Sequence, residues 1–579
     1  MTTIERHYRL WLLLVWLACS AVAIALCRAS IAAFRFPDPD DVMRLVEVRD
    51  WINGQSWSDV GQHRMNLPAG LSMHWSRLLD VPLAALITLF RPFVGQRVAE
   101  TIAAVTVPML TLGATMALVA ELTRRRSGAP AALFAAASCL LSIGVWYAMR
   151  PLRIDHHGWQ IVAGLGMVLA ITYRGDLRGA AIAGACAALW THISLEGLAF
   201  TAGVSAWLGL RWIASPAERF RLPVFLGSLS ATGWLLYVSV HGTALLGDTF
   251  CDQISPIHLI VLGLAAALTG AAVRLSPTAL PMRAGAMAVA AMATAALYRL
   301  GAPQCAAGPF GTLGPLGYGL WYRGVYEGVP LWHLPLTQIL LWGIFPLIGL
   351  AGAILACFRP GDDRAAALDY CALLGIATAI GLLVTRAGAF ANLLAIPGAI
   401  TLILAAFART TKWPMLPRVI GRAFALLLLS PAGAGLAALL ATPSPTIART
   451  TPAADPRCGQ IDTLAPLDRF APTTILTPLD LGPALIAGTH HAAVTGPYHR
   501  DPAALEDVLR FFTAADARQI AVRRHADYVA FCAADGEMAA MAKFAPTGLA
   551  AALLQNRAPG WLKPMPQFET AGLVLYRID

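Results

Sequence analysis

Charged residues are scarce in this chain of 579 residues: Asp, Glu, Lys and Arg together make up 13 %, while hydrophobic residues make up 57 %. So little charge excludes an ordinary soluble domain and a disordered tail. Alternating apolar and polar segments of strand length are lacking as well; runs such as LLGIATAIGLLV (373–384) are apolar throughout, which excludes a membrane β-barrel. No small-residue cleavage site separates the first apolar run (8–27) from the charged stretch behind it, so that run reads as an uncleaved helix rather than a signal peptide. Internal repeats at solenoid periods are also missing. What remains is a mean hydropathy of +0.62 and a succession of apolar runs long enough to cross a bilayer as helices.

The fold class expected is therefore mainly α: a polytopic transmembrane helical bundle followed by a small α/β domain. The formal net charge of +10 is a matter of location. Basic residues fill short loops at 124–128, 173–178, 211–221, 273–283, 358–364 and 409–422, which the positive-inside rule places in the cytoplasm. That reading explains the basicity by topology and leaves no role for nucleic acid. The segments left outside are 30–95, 149–158, about 191–196, 241–256, 301–334, 386–389 and everything after about 442. About thirteen spans result, with an inside N-terminus, as in a bacterial inner-membrane protein with its chemistry in the periplasm.

Residues 1–441 form the membrane unit, with long external loops at about 30–95 and 301–334. Residues 442–579 begin with a Pro/Thr/Ala linker (441–456) and continue as short β-rich runs between helical patterns, the signature of a small α/β domain. Of the ten cysteines, Cys251, Cys305, Cys458 and Cys532 fall in external segments. An oxidising compartment makes Cys458–Cys532 and Cys251–Cys305 the expected disulfides.

Ionisable residues that membrane packing does not need collect in the same external segments. FPDPDDVMRLVE (36–47) crowds Asp38, Asp40 and Asp41 together, with Arg44 and Glu47 following at helical spacing. MRPLRIDHHGWQ (149–160) sets Asp155, His156 and His157 in a short turn between two spans. Asp155 and His157, two residues apart, would project the same way in an extended turn, with His156 pointing elsewhere. Glu327 lies in a Gly- and aromatic-rich loop, and Arg386 at the outer end of an apolar helix. Such Asp, His and Glu donors suit a divalent ion (Mg²⁺, Mn²⁺ or Zn²⁺), which would also offset carboxylate repulsion. Each element has a plainer reading too. The acids could complement a helix dipole, the histidines could be loop contacts, Glu327 an ordinary loop carboxylate, and Arg386 a snorkelling side chain. Glu196, at a helix end, receives no role.

The spacing of these motifs resembles the catalytic subunits of oligosaccharyltransferases, membrane glycosyltransferases of the GT-C fold. Asp38-Pro39, Arg44 and Glu47 are similar to the DPxxxxRxxE start of that family's first external loop. LPAGLSMHWSRLLD (67–80) is similar to its Pro-Gly…His-Trp-Gly stretch, RIDHHGWQ to its Asp-His-His turn, and GVYEG (324–328) to its Ser-Val-Ser-Glu motif. The resemblance implies metal binding by Asp38, His74, Asp155 and His157, catalytic roles for Asp38 and Glu327, and a donor phosphate on Arg386. Asp40, Asp41, Arg44, Glu47 and His156 would support the site. The family's Trp-Trp-Asp-Tyr-Gly peptide-reading motif is absent; Asp480-Leu481-Gly482 is the nearest stretch. Asp480, His499 and Arg500 would then line an acceptor side, with His490, His491 and Tyr498 nearby. The function implied is metal-dependent, inverting transfer of a sugar or glycan from a polyprenyl-(pyro)phosphate-linked donor. The acceptor would be a glycan, a lipid or a protein site, and membrane lipids surround the bundle. The alternatives are a secondary transporter, which predicts charges at the bilayer midplane and an inverted repeat, and a non-catalytic cell-envelope assembly protein.

Overall fold

The computed structural model describes residues 3–174, 176–243, 245–275, 279–359, 363–442, 457–534, 536–568 and 571–579. The linker expected at 441–456 falls almost wholly outside them. Among the described residues, eight helices are long and apolar enough to cross a membrane, or nine if Met415–Leu429 and Pro431–Leu440, bent by 80°, form one span. One of the eight, Gln96–Leu141, breaks at Gly128, whose φ of 78° is a conformation glycine adopts without a Cβ penalty. That break turns the RRRSG stretch into a hinge between two crossings. The helices His157–Arg174, Leu177–Ile193 and Gly197–Ala214 pack among the others.

Small residues let some of these helices meet backbone to backbone. Leu336–Ala356 crosses Gly388–Arg409 at Gly349, Gly352 and Gly398; a Cβ on Gly352 would lie 1.9 Å from the Gly398 carbonyl oxygen. In lipid, where apolar surface gives helices little reason to associate, such close packing supplies the contact. The second helix of this pair begins at Gly388, just after Arg386, so the crossing fixes where that arginine stands.

After the bundle, residues from 457 onward form a five-stranded sheet. Its order is Ala492–Ala493, Thr474–Leu476, Ala526–Cys532, Leu573–Ile578, Leu562–Pro564. The first three strands are parallel and the last two antiparallel to their neighbours. Helices Pro502–Thr513 and Ala517–Arg523 cover one face, burying Phe511, Phe512, Ile520 and Phe531. Disulfides join Cys458 to Cys532 and Cys251 to Cys305.

The first long loop folds onto this sheet. It opens with the helix Pro39–Ile52, which starts at Asp38 because that carboxylate caps the Asp40 N–H at 3.0 Å and Pro39 occupies the first helical position. Further on, a hairpin pairs Gly61–Gln62 with Leu71–Ser72, and between its strands Met65 bridges Ala493 in parallel. The Ala493 N–H donates to the Arg64 carbonyl and the Asn66 N–H to that of Val494, both at 3.0 Å. The loop therefore continues the sheet edge. The loop at 301–334 is anchored as well. Leu313, Leu316, Leu320 and Trp321 pack on the core beneath Pro502–Thr513, and the Gly317 N–H donates to Glu506 at 3.1 Å.

Candidate active site

Four separate pieces of chain meet at the start of helix Pro39–Ile52. They are that helix terminus, the turn before His157, the turn Tyr326–Gly328 carrying Glu327, and the turn Thr385–Ala387 carrying Arg386.

Charge balance among the acids comes first from a residue of the protein itself. Arg153 lies buried among three carboxylates: Nη1 is 3.1 Å from Asp38 and 3.0 Å from Asp41, and Nη2 is 3.5 Å from Asp155. This guanidinium offsets much of the crowding for which a divalent ion is expected. Asp41 is the positioning member. Its other oxygen accepts the Asp155 N–H at 2.9 Å, tying the helix start to the turn. Burial pushes Asp41 up to about 7, against the pull of Arg153. Burial, with Asp38 and Asp155 adding repulsion, raises Asp40 well above the usual carboxylate range.

The turn itself is held in an unfavourable shape. Leu152 is fully buried with φ 72°, a left-handed conformation that costs a side-chain-bearing residue about 1–2 kcal/mol. Its N–H donates to the Ala104 carbonyl at 3.0 Å, which fixes the bend. Immediately after it, Asp155, His156 and His157 place donor atoms within 4.8 Å of one another. His157 Nδ1 is 2.5 Å from Asp155. His156 Nδ1 pairs with the other oxygen of the same carboxylate. The two rings stack at 4.3 Å. The expectation that His156 points elsewhere is thus corrected. Side chains alternate only while the chain stays extended, and helix His157–Arg174 starts inside the motif. Burial opposes the charge on Asp155, yet His156 and His157 hold its carboxyl well below the usual range.

Tyr147, which carried no sequence signal, joins the parts. Its hydroxyl donates to Glu327 at 2.9 Å and lies 3.0 Å from His157 Nε2. The proton between His157 and Tyr147 is then the Nε2–H of the imidazole. Nδ1, 2.5 Å from the Asp155 carboxylate, donates its own proton there, so the ring holds both. Glu196 pairs with Arg386 at 2.7 Å and accepts from Gln160 at 3.4 Å. These residues, with Trp190 and Phe390, line a narrow slot of about 40 Å³ that opens from His157 into the bundle.

The remaining expected site residues stand further off. His74 is not among the clustered donors. Its ring lies 5.2 Å from that of His499, and the next residue, Trp75, lies 6.4 Å from His156. Burial, reinforced by His499, keeps the His74 imidazole well below its ordinary value. Arg44 and Glu47 are buried beneath the site, 3.6 Å apart, with Arg44 also 3.0 Å from Asp80 and stacked on Trp75 at 4.6 Å. His499 and Arg500 both bind Asp252, at 2.9 Å and 2.7 Å, docking the C-terminal domain onto the disulfide-held loop. Burial works against Asp252, but the hydrogen bonds from His499 and Arg500 hold it far below the carboxylate range. Asp480 is exposed in the turn Leu479–Leu481, its N–H donating to Glu537. His491 is taken up inside the domain, with Nε2 2.8 Å from the Leu467 carbonyl oxygen. His490 pairs with Asp468 at the surface.

Sequence reasoning missed Tyr147, Arg153, Glu196 and Asp252. Arg153 did leave a signal, as a basic residue two positions before Asp155 in the same short turn. Glu196 left another, as an acid on the same face as Arg386.

No protein-family model matches the chain, and no curated protein matches it either. Solved structures do match. An oligosaccharyltransferase from Archaeoglobus fulgidus, tethered to an acceptor peptide containing the NVT sequon, superposes with a TM-score of 0.66 at 16 % identity, covering 100 % of this chain and 74 % of that one. Archaeal oligosaccharyltransferase AglB from Archaeoglobus fulgidus, in complex with an inhibitory peptide and a dolichol-phosphate, gives 0.66 at 15 % over 100 % and 75 %. The Archaeoglobus fulgidus enzyme in complex with Zn and sulfate gives 0.59 at 17 % over 97 % and 72 %. The fold is that of a GT-C membrane glycosyltransferase of the oligosaccharyltransferase type, as the sequence motifs implied.

Proposed function

We propose that the protein is a membrane glycosyltransferase that moves a sugar or glycan from a polyprenyl-(pyro)phosphate carrier to an acceptor on the periplasmic side, with inversion and with a divalent metal. The observation that carries this reading is the convergence of Asp38, Asp155, His156, His157, Glu327 and Arg386 from four distant stretches of chain. A transporter would place such groups near the bilayer midplane, whereas these sit at helix ends under a folded domain.

The donor set fits a divalent ion. A buried carboxylate and two imidazoles bring their donor atoms within 4.8 Å of one another. Asp155, His156 and His157 would hold Mg²⁺, Mn²⁺ or Zn²⁺, with Asp38 beside them, and the ion would supply Lewis-acid stabilisation of charge on a phosphate oxygen. Arg386 offers a fixed cation at the mouth of the slot, aimed by Glu196, and is suited to a lipid-borne phosphate. The largely apolar slot accommodates the first part of the carrier. Asp38 faces the space where the acceptor enters and takes up its proton as the bond to the sugar forms. Glu327, held through Tyr147, closes the other side. Attack from the face opposite the departing phosphate inverts the anomeric carbon without a protein nucleophile.

The test is transfer of glycan from the lipid-linked pool by purified protein. Asp38→Ala is expected to abolish transfer while membrane insertion and expression stay normal, and exhaustive chelation is expected to stop the wild-type protein. Full activity of either would overturn the mechanism.

A further inference from the structure

A second cavity, of about 260 Å³, lies between the loop-1 hairpin, the loop 242–255 and the C-terminal domain. Phe250, Leu245 and Met73 form an apolar wall; Asp59, His63 and Arg500 form a polar one. The charges of that polar wall are already matched. Asp252 takes Arg500 at 2.7 and 2.9 Å, and Asp59 takes His63 Nε2 at 2.8 Å. Gln253 accepts from Arg500 at 2.8 Å, and the guanidinium lies over the Phe250 ring at 4.6 Å.

This pattern selects among ligands. A lipid tail would bury these polar groups against hydrocarbon with nothing to bond beyond one another. A phosphate would find Arg500 already engaged by a carboxylate. A neutral polyol, with an apolar ring face and hydroxyls around its edge, satisfies both walls. The cavity also has a definite relation to the candidate centre. His157 and Glu196 face Arg386, whereas His156 faces Trp75, two residues from the cavity wall at Met73. The two cavities share no lining residue, so this one is separate from the slot proposed for the carrier and open to the acceptor.

We propose that this cavity binds a neutral pyranose of the acceptor, so that the acceptor is a carbohydrate chain; the assignment rests on the transfer reading above. The loop that carries Phe250 and Gln253 is pinned by the Cys251–Cys305 disulfide, which makes the cavity a built part of the fold.

Binding can be measured without any donor. Purified full-length protein in nanodiscs is presented with methyl glucoside, methyl galactoside and methyl mannoside, and saturation transfer to each sugar is read by NMR. At least one pyranoside is expected to bind the wild type. Ala69→Trp, which fills the cavity from an exposed position, and His63→Ala are each expected to weaken it by about tenfold. Absence of binding to the wild type, or binding that persists in monodisperse Ala69→Trp protein, overturns the proposal. Competition by the lipid-linked donor pool would assign the cavity to the donor's own glycan and overturn the acceptor assignment. Because no transfer is needed, failure here leaves the Asp38 and chelation results untouched, and failure of those leaves sugar binding measurable.

Discussion

Two buried side chains carry the sharpest residue-scale consequences. Tyr147 touches both His157 and Glu327, so it acts on the site through them. Tyr147→Phe keeps the ring and loses the hydroxyl; glycan transfer is expected to fall about 10- to 100-fold, as for other groups that orient ligands, with thermal stability little changed. Steady-state transfer kinetics alongside a melting curve separate the two effects. Glu47 is the second. Burial, against the pull of Arg44, pushes its carboxyl up to about 8 from an ordinary 4.5. Between those values the folded protein holds a proton that the unfolded chain has released. Its contribution to stability is therefore complete below about pH 4.5 and is lost as pH rises through about 8. The melting temperature is expected to fall between pH 6 and pH 9 in the wild type. In Glu47→Gln, which is neutral throughout, that fall should shrink. An unchanged pH slope would show that Glu47 is ionised in the fold.

At the scale of elements, much was legible because each had a local cause. The strands Thr474–Leu476, Ala526–Cys532 and Leu573–Ile578 and the helices Pro502–Thr513 and Ala517–Arg523 lie where alternation and helical spacing put them. The start of helix Pro39–Ile52 could be read from an Asp-Pro pair followed by two acids. The conformation of Asp155, His156 and His157 could not, because it depends on a left-handed Leu152 that is held by Ala104, a residue of another helix. His156 was misplaced for the same reason. Strand Leu562–Pro564 is short, carries a proline and lies at a sheet edge, so little in its sequence marks it. The disulfide Cys458–Cys532 ties the entrance of the C-terminal domain to its central strand across 74 residues. Cys458→Ser is expected to cost about 2–4 kcal/mol in the stability of that domain and to change mobility on a non-reducing gel. Identical mobility and unfolding would argue against the bond.

Over the whole molecule, segments predicted to lie outside do meet. The Gly317 N–H reaches Glu506, and Arg500 reaches both Asp252 and the Met73 carbonyl. Loop charge predicted which segments share a side, but not which of them touch, since that depends on side chains far apart in sequence. Arg49 shows how the parts are joined. It donates to buried Glu100 of the bundle at 2.6 and 2.8 Å and to the Ala487 carbonyl of the C-terminal domain at 2.7 Å. Arg49→Ala leaves that buried glutamate with only the Gln96 amide, and a loss of about 3 kcal/mol is expected. A lower melting temperature and faster proteolysis of residues beyond 457 would report it; unchanged values would mean that Glu100 finds another partner.

The bridge between Met65 and Ala493 has a consequence for how the protein comes into being. The ribosome delivers Met65 early, and its partner more than four hundred residues later. Loop 1 must therefore wait with an open strand edge and a buried-to-be methionine exposed. Until Ala493 arrives, that edge is available to chaperones, to proteases and to other chains. The same delay means that loop 1 reaches its final seat only when nearly all of the chain has been made.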